Sequence, residues 1–306
     1  MNPSLTFLQG ILDSWNLTCT KAHPEIPIQG SPERSLDRIV LDAGEKRYLL
    51  EELDARSLPR KTLIAKRVAH LAAKGLPVAA PVTGPDGRLI QHALGRHWQL
   101  TEFLAGVELN HESYWREAWR GEALAQFLID LRLASQDLVV EREEVFDLGG
   151  YVRRIAHDAK KLHPETFARL APLFALMTKR LPPDLPVAFC HGDPHPQNMI
   201  WGTDRILGAI DWEFSGPKCA LHDMALIVGC VGSEDEGALD GPVVTAFLDG
   251  LRSGGELTPA LEEHLPIWTL ALRTAWLVEW LRREDAAMIE FEVFYIETLA
   301  DRFFGG

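Results

Sequence analysis

Apolar positions near the start of the chain, MNPSLTFLQGILDSWNL, recur at helical spacing. Leu5, Leu8, Ile11, Leu12 and Trp15 share one side, which predicts an amphipathic helix. Two apolar-rich runs follow, Arg38 to Asp42 and Lys46 to Leu53, joined by Ala43-Gly44-Glu45 as in a hairpin. Residues 60–74 return to helical periodicity, with Ile64, Val68 and Leu71 on one face. Pro59 suits the first turn of that helix and Gly75 its end. A second hairpin is predicted from Arg88 to Leu94 and His97 to Leu104 around Gly95-Arg96. From Tyr114 the pattern is mainly helical: Tyr114–Leu138, Tyr151–Leu162, Pro164–Leu181, Leu221–Gly229, Pro242–Leu251, Pro259–Arg283 and Asp285–Phe304. No internal repeat or low-complexity segment interrupts it.

One stretch breaks the helical half. Residues 189–213 read FCHGDPHPQNMIWGTDRILGAIDWE. The apolar runs Val187–Phe189, Met199–Trp201 and Ile206–Ile210 are too short for helices and are bounded by Gly and Asp, so they predict strands. Asp193 lies in the loop after the first run, Asn198 at the foot of the second, and Asp211 at the end of the third. A strand-loop-strand-turn-strand path is expected to bring the three to one edge. One carboxylate there can take a proton from a hydroxyl, while an amide oxygen and a second carboxylate are hard ligands suited to Mg²⁺. Singly, each residue is ordinary turn chemistry.

The combination HGD-x₄-N followed by apolar-Asp-Trp-Glu is more specific. Here the chain resembles the aminoglycoside phosphotransferase and choline kinase superfamily, which shares the protein-kinase fold. The likeness is strong from about Pro186 to Val228 and looser from about Gly30 onward. The resemblance implies an α+β, two-lobed protein-kinase-like fold, with a small antiparallel-sheet N-lobe over 1–105 and a mainly helical C-lobe over 106–306. It implies a Mg-dependent kinase that moves the γ-phosphoryl group of ATP, or GTP, onto a hydroxyl of a small metabolite. Asp193 takes the role of base, and Asn198 and Asp211 those of metal ligands. His191 braces the loop, and Asp223 ties the segment after Asp211 to the large lobe. Glu213 matches the family's acidic position in this segment and could support a second metal or a water; a solvated or salt-bridged Glu213 is the equal alternative. His195 could face substrate or phosphate, and packing against the loop is the plainer reading.

The nucleotide-binding residues implied are Gly30, Ser31 and Arg34 in a small-residue loop, for which a plain turn is the alternative, Leu49 over the adenine, and the connection Glu102-Phe103-Leu104. One departure stands out. Kinase-like folds carry a phosphate-binding lysine on the strand before the small-lobe helix, oriented by a helix glutamate. Here Glu51 takes the strand position. Lys61 shares the helix face of Ile64, Val68 and Leu71, whereas Lys66 points away. The expectation is a charge-reversed pair in which Glu51 orients Lys61, with Arg34 and Arg47 as substitute cations; a shifted alignment, or two ordinary solvated charges, is the alternative. Substrate selection is expected on the late helices, where Arg273, Trp276, Glu279 and Trp280 could hold an amine; core tryptophans and surface charges are the plainer reading.

Bulk properties narrow the class. The chain has 306 residues, enough for two lobes. Its net charge of −13 argues against nucleic acid and is compatible with a cationic acceptor. No apolar run approaches membrane-spanning length and no signal peptide is recognised. Four cysteines without a C-x-x-C pair read as reduced thiols, so a cytoplasmic location is expected. Oligomeric state is not readable. A nucleotide-binding pseudokinase and a protein-directed kinase remain as other classes. The intact Asp193, Asn198 and Asp211 set speaks against the first. Against the second, only Trp212 to Leu221 separates the metal aspartate from the next helix.

Overall fold

The computed structural model describes residues 3–28, 35–138 and 145–305. Element order is α1 (Leu5–Leu12), β1 (Cys19–His23), β2 (Asp37–Ala43), β3 (Lys46–Leu53), α2 (Leu58–Ala73), β4 (Ile90–Ala93) and β5 (Arg96–Glu102). Next come α3 (Ala118–Ala134), α4 (Leu148–Leu162), α5 (Pro164–Arg180), β6 (Val187–Cys190), β7 (Met199–Trp201), β8 (Ile206–Ala209) and β9 (Gly216–Cys219). The chain finishes with α6 (His222–Val231), α7 (Pro242–Ser253), α8 (Pro259–Glu262), α9 (Leu265–Arg283) and α10 (Ala286–Phe304). This is the mixed architecture expected, an antiparallel sheet followed by many helices. Two compact units compose it: residues 1–107 with 200–213, and residues 108–199 with 214–306.

The first unit is built on a five-stranded sheet in the order β1-β2-β3-β5-β4, antiparallel throughout. Alternation along the strands decides its faces. Leu41, Leu50 and Leu100 are fully buried and join Leu8, Ile11, Leu12 and Trp15 in one core. Trp15 also donates its Nε1–H to Val82 O at 3.0 Å. Leu5 does not join this stripe; it is 52% exposed, because the helix begins there and its first turn overhangs the core. The β2–β3 turn falls where predicted, with Gly44 at φ +63° and Ala43 opposite Lys46. The second turn sits one residue earlier than predicted. Leu94 and Gly95 take φ +52° and +76°, and Arg96 is already paired with Ala93. A turn with two positive φ angles matches the twist of its flanking strands.

The hairpin of β7 and β8 adds a second layer of pairing to this unit. Ala79 N–H donates to Ala209 O (3.2 Å), Ala209 N–H to Pro77 O (2.9 Å) and Val107 N–H to Trp201 O (2.8 Å). Gly208 has no room for a side chain: a Cβ there would lie 2.3 Å from Leu104 Cδ1 and 3.2 Å from the Val78 backbone.

The second unit is helical around one small sheet. α3 packs along α7, α4 on α5, and α9 against α6 and α10. The predicted helix Tyr114–Leu138 is divided. A 3-10 turn covers Tyr114–Arg116, and α3 starts only after Glu117. Glu117 adopts φ −97°, ψ 88° and spends its carboxylate on Trp119 Nε1 (3.1 Å) and Arg120 Nε (2.9 Å). Pro259–Arg283 is likewise two helices. Pro266 in the first turn of α9 lacks the N–H that a continuous helix needs. β6 pairs with β9 and β7 with β8, so the three short strands form two separate ladders and not one continuous path. All four cysteines are free thiols.

Candidate active site

In the second unit the loop after β6 is held from beneath by Asp223, at the first turn of α6. Its carboxylate is fully buried and accepts two backbone N–H groups, from His191 (2.7 Å) and Gly192 (2.9 Å). Burial pushes the Asp223 carboxyl up, against the opposing pull of Arg132 and of those two amides. Gly192 has φ +89°, and a Cβ there would meet Phe214 O at 2.2 Å, so only glycine lets the chain turn here. The buried His191 ring accepts the Asp193 N–H on Nδ1 at 3.2 Å, so it touches the backbone of the loop it was expected to brace.

Two further supports were not singled out from the sequence. Arg132 on α3 donates to Phe189 O (2.6 Å) and Ala220 O (2.8 Å), lacing β6 to the end of β9. His222 places Nε2 3.3 Å from Gly192 O, and burial holds its pKa down at about 3, so the ring is neutral and Nε2 is the donor. The signal for Arg132 was a charge among Leu128, Leu131 and Ala134 on an apolar helix face; a buried guanidinium needs acceptors.

Asn198 sits in a 3-10 turn and turns its Nδ2 toward Asp193, donating to the carbonyl (2.9 Å) and to the carboxylate Oδ2 (3.3 Å). Both neighbours are acceptors, so the facing atom must be nitrogen. Among the described residues no hydrogen bond uses the Asn198 Oδ1, which leaves a hard oxygen for a cation. His195 accepts the Gln197 N–H on Nδ1 (3.3 Å), which puts the ring proton on Nε2, 3.8 Å from Asp193 Oδ2. The same ring meets Trp276 edge-on, centroids 5.8 Å apart, and Trp276 stacks on Trp280 at 6.4 Å. The other two residues expected on α9 are engaged elsewhere. Arg273 is buried and bidentate to Glu292 (2.7 and 2.5 Å), and Glu279 holds Arg282 and Arg283.

In the first unit Asp211 closes β8 at φ +60°, a left-handed conformation unusual outside glycine. Trp212 is buried and donates to Ala209 O at 3.2 Å. Glu213 is salt-bridged: its carboxylate takes Lys61 Nζ, and its carbonyl takes Arg60 Nη2 at 2.5 Å. The expected pairing of Glu51 with Lys61 does not form. Glu51 lies opposite Arg38 in the β2–β3 ladder and accepts its Nε at 2.8 Å, so the nearest cross-strand guanidinium takes the carboxylate. Arg47, a substitute cation in that scheme, is bound to Asp42 at 2.8 Å. Lys61 does share the buried face of Ile64, Val68 and Leu71, and Lys66 is exposed. Leu49 and Glu51 are half-buried on one face of β3. In the connection after β5, the Glu102 and Phe103 amides donate to Ala80 O (3.1 Å) and Arg47 O (3.0 Å); among the described residues none accepts from the Leu104 amide. Gly30, Ser31 and Arg34 lie outside the described residues.

Comparison with known proteins gives the family and the fold. The model of the phosphotransferase enzyme family matches residues 34–257. Curated relatives include a homoserine kinase of Allorhizobium ampelinum, 26% identical over 72% of this chain and 70% of the relative. A homoserine kinase of Granulibacter bethesdensis is 29% identical over the same shares. Among solved structures, the amicoumacin kinase hAmiN in complex with AMP-PNP, Ca²⁺ and Ami superposes with a TM-score of 0.64 at 16% identity, over 89% of this chain and 90% of that one. A choline/ethanolamine kinase family protein from Mesorhizobium loti gives 0.59 at 17% identity, over 95% and 90%. At these identities the structures speak for the fold, which is protein-kinase-like.

Proposed function

The chain belongs to the phosphotransferase enzyme family, and on that premise we propose that it is a small-molecule kinase, moving the γ-phosphoryl group of ATP onto an acceptor hydroxyl. The observation that carries this is the Asp193–Asn198 contact on a loop whose backbone is fixed by Asp223. The hydroxyl oxygen attacks the γ-phosphorus, the bond to the bridging β–γ oxygen breaks, and ADP leaves. Asp193 receives the hydroxyl proton, help typically worth ~10²–10⁴-fold. Asn198 Oδ1 and the Asp211 carboxylate are the oxygens that would hold Mg²⁺, which when bound neutralises phosphate charge. The half-buried Leu49 and the Leu104 amide suit an adenine ring. Gly30, Ser31 and Arg34 remain assigned to the phosphates by position in the sequence alone.

Homoserine leads the acceptors to test, because the curated relatives carry that name. It offers a primary hydroxyl and an ammonium group. The stacked Trp276 and Trp280, beside His195, present aromatic faces of the kind that attract ammonium. The test is ADP release with Mg-ATP or Mg-GTP against homoserine, choline and aminoglycosides. Homoserine-dependent release at least tenfold over background supports the assignment; release with another acceptor only moves the substrate and keeps the class. A nucleotide-binding pseudokinase is the second reading, favoured by Glu51 standing at the expected lysine position and paired with Arg38. Mg-ATP binding without turnover on any acceptor would select it.

A further inference from the structure

We propose that Lys61 and Arg60, at the start of α2, are positioning residues for Asp211, acting through Glu213. The inference rests on the proposed function, since it concerns how a metal-binding carboxylate is held. Among the described residues Lys61 is the one lysine that is buried, at 8% exposure, and its ionic partner is Glu213. A buried ammonium needs such a partner. Arg60 adds a second grip on the same residue through the Glu213 carbonyl. Asp211, two residues before, holds φ +60°. A left-handed aspartate persists only where its surroundings fix it. Those surroundings are bracketed: Trp212 is tied back to β8 through Ala209, and Glu213 is tied to α2.

The clamp also reassigns Glu213. Its carboxylate is committed to Lys61, so it supports the metal site as a brace and not as a second ligand. The bracing cation sits on α2, while Glu51 on β3 is engaged with Arg38. The ion pair at this place joins a helix cation to an acid two residues past Asp211, where kinase-like folds pair a strand lysine with a helix acid.

The test turns on sign. If Lys61 and Glu213 acted only through their charges, Lys61→Met would tighten Mg²⁺ binding and Glu213→Gln would weaken it. As a clamp, both variants weaken it, by about tenfold in the Mg²⁺ concentration for half-maximal ATP binding. The double variant should be no worse than the poorer single one, because the two residues act as a unit. Lys61→Arg should stay near wild type. Hydrogen exchange supplies a readout free of metal: amides 210–214 should exchange faster in Lys61→Met and Glu213→Gln, with melting temperature followed in parallel. Tighter Mg²⁺ binding in Lys61→Met, or unchanged binding and exchange in Glu213→Gln, overturns the clamp. Should Lys61→Met not fold, the decision passes to exchange: faster exchange of amides 210–214 in Glu213→Gln supports the clamp, and unchanged exchange there overturns it. Absence of Mg-ATP binding in the wild type overturns the proposed function and the clamp with it. Normal wild-type binding with indifferent variants overturns the clamp alone.

Discussion

At the scale of single residues, the groups proposed for chemistry are separable from those that hold them. Asp193→Asn keeps shape and removes a base, so kcat should fall ~10²-fold or more while Mg-ATP affinity stays within a few-fold. Steady-state kinetics and calorimetry on the same preparation check both halves; near-normal turnover would take Asp193 out of the base role. Asn198→Ala should do more, since it removes both an oxygen for the cation and the amide that faces the Asp193 carboxylate. The thiols make a contrasting prediction. Burial pushes Cys190 and Cys230 up to about 12 and Cys219 up to about 11, so little thiolate exists near neutrality. Alkylation followed by mass spectrometry at pH 8 should leave these three largely unmodified in the native protein and label them after denaturation. Much of this was legible beforehand. The spacing of Asp193, Asn198 and Asp211 stood out in the sequence; Asp223 was expected to tie the segment after Asp211, whereas its carboxylate holds the amides of His191 and Gly192 in the loop after β6. The partners of Lys61 and Glu51 were not legible. Periodicity gave Lys61 its face, but which acid lay across from that face depends on a return of the chain at residue 213.

At the scale of elements, boundaries failed where one side chain redirected the backbone. Glu117 and Pro266 cut two helices that apolar periodicity ran together, because periodicity senses faces and not caps. Close approach is a second element-level fact. Gly121 on α3 sits where a Cβ would be 2.1 Å from Val243 O on α7. Gly121→Ala must push those helices apart and should cost about 1–3 kcal/mol, as overpacking does; urea denaturation would read it. The β1–β2–β3 edge carries a pH dependence. His23 has Nε2 2.7 Å from Asp42 and Nδ1 2.9 Å from Glu25, and the bond to Asp42 raises its pKa most, against the nearby Arg47. A raised folded pKa stabilises fully below the unfolded histidine value of about 6.5 and is lost as pH rises through the folded value. His23→Gln should therefore be less stable than wild type at pH 6, with the gap closing toward pH 9. A gap that widens with pH would show that the ring folds neutral.

At the scale of the whole molecule, the chain crosses between its two units after residues 107, 199 and 213. The sequence placed a boundary near 105 and assigned everything later to one lobe. What it could not display is the partner choice of β7 and β8, since those ladders depend on backbone groups at Pro77, Ala79 and Val107 that carry no side-chain signature. The consequence can be measured. Residues 1–107 alone would lose the acceptors and donors on Ala209 and Trp201, and Leu104 would lose the backbone of Gly208 beneath it. Buried backbone groups left without partners cost about 1–3 kcal/mol each. Val107 pairs with Trp201 in an antiparallel bridge, so a short Gly/Ser linker can join Val107 to Ile200 without crossing the fold. A polypeptide of 1–107, linker and 200–213 should melt cooperatively and protect the amides of Ala79 and Val107 from exchange. The bare 1–107 fragment should melt lower and leave those amides open. Equal melting and equal protection in the two polypeptides would mean that β7 and β8 contribute nothing to the unit with which they pair.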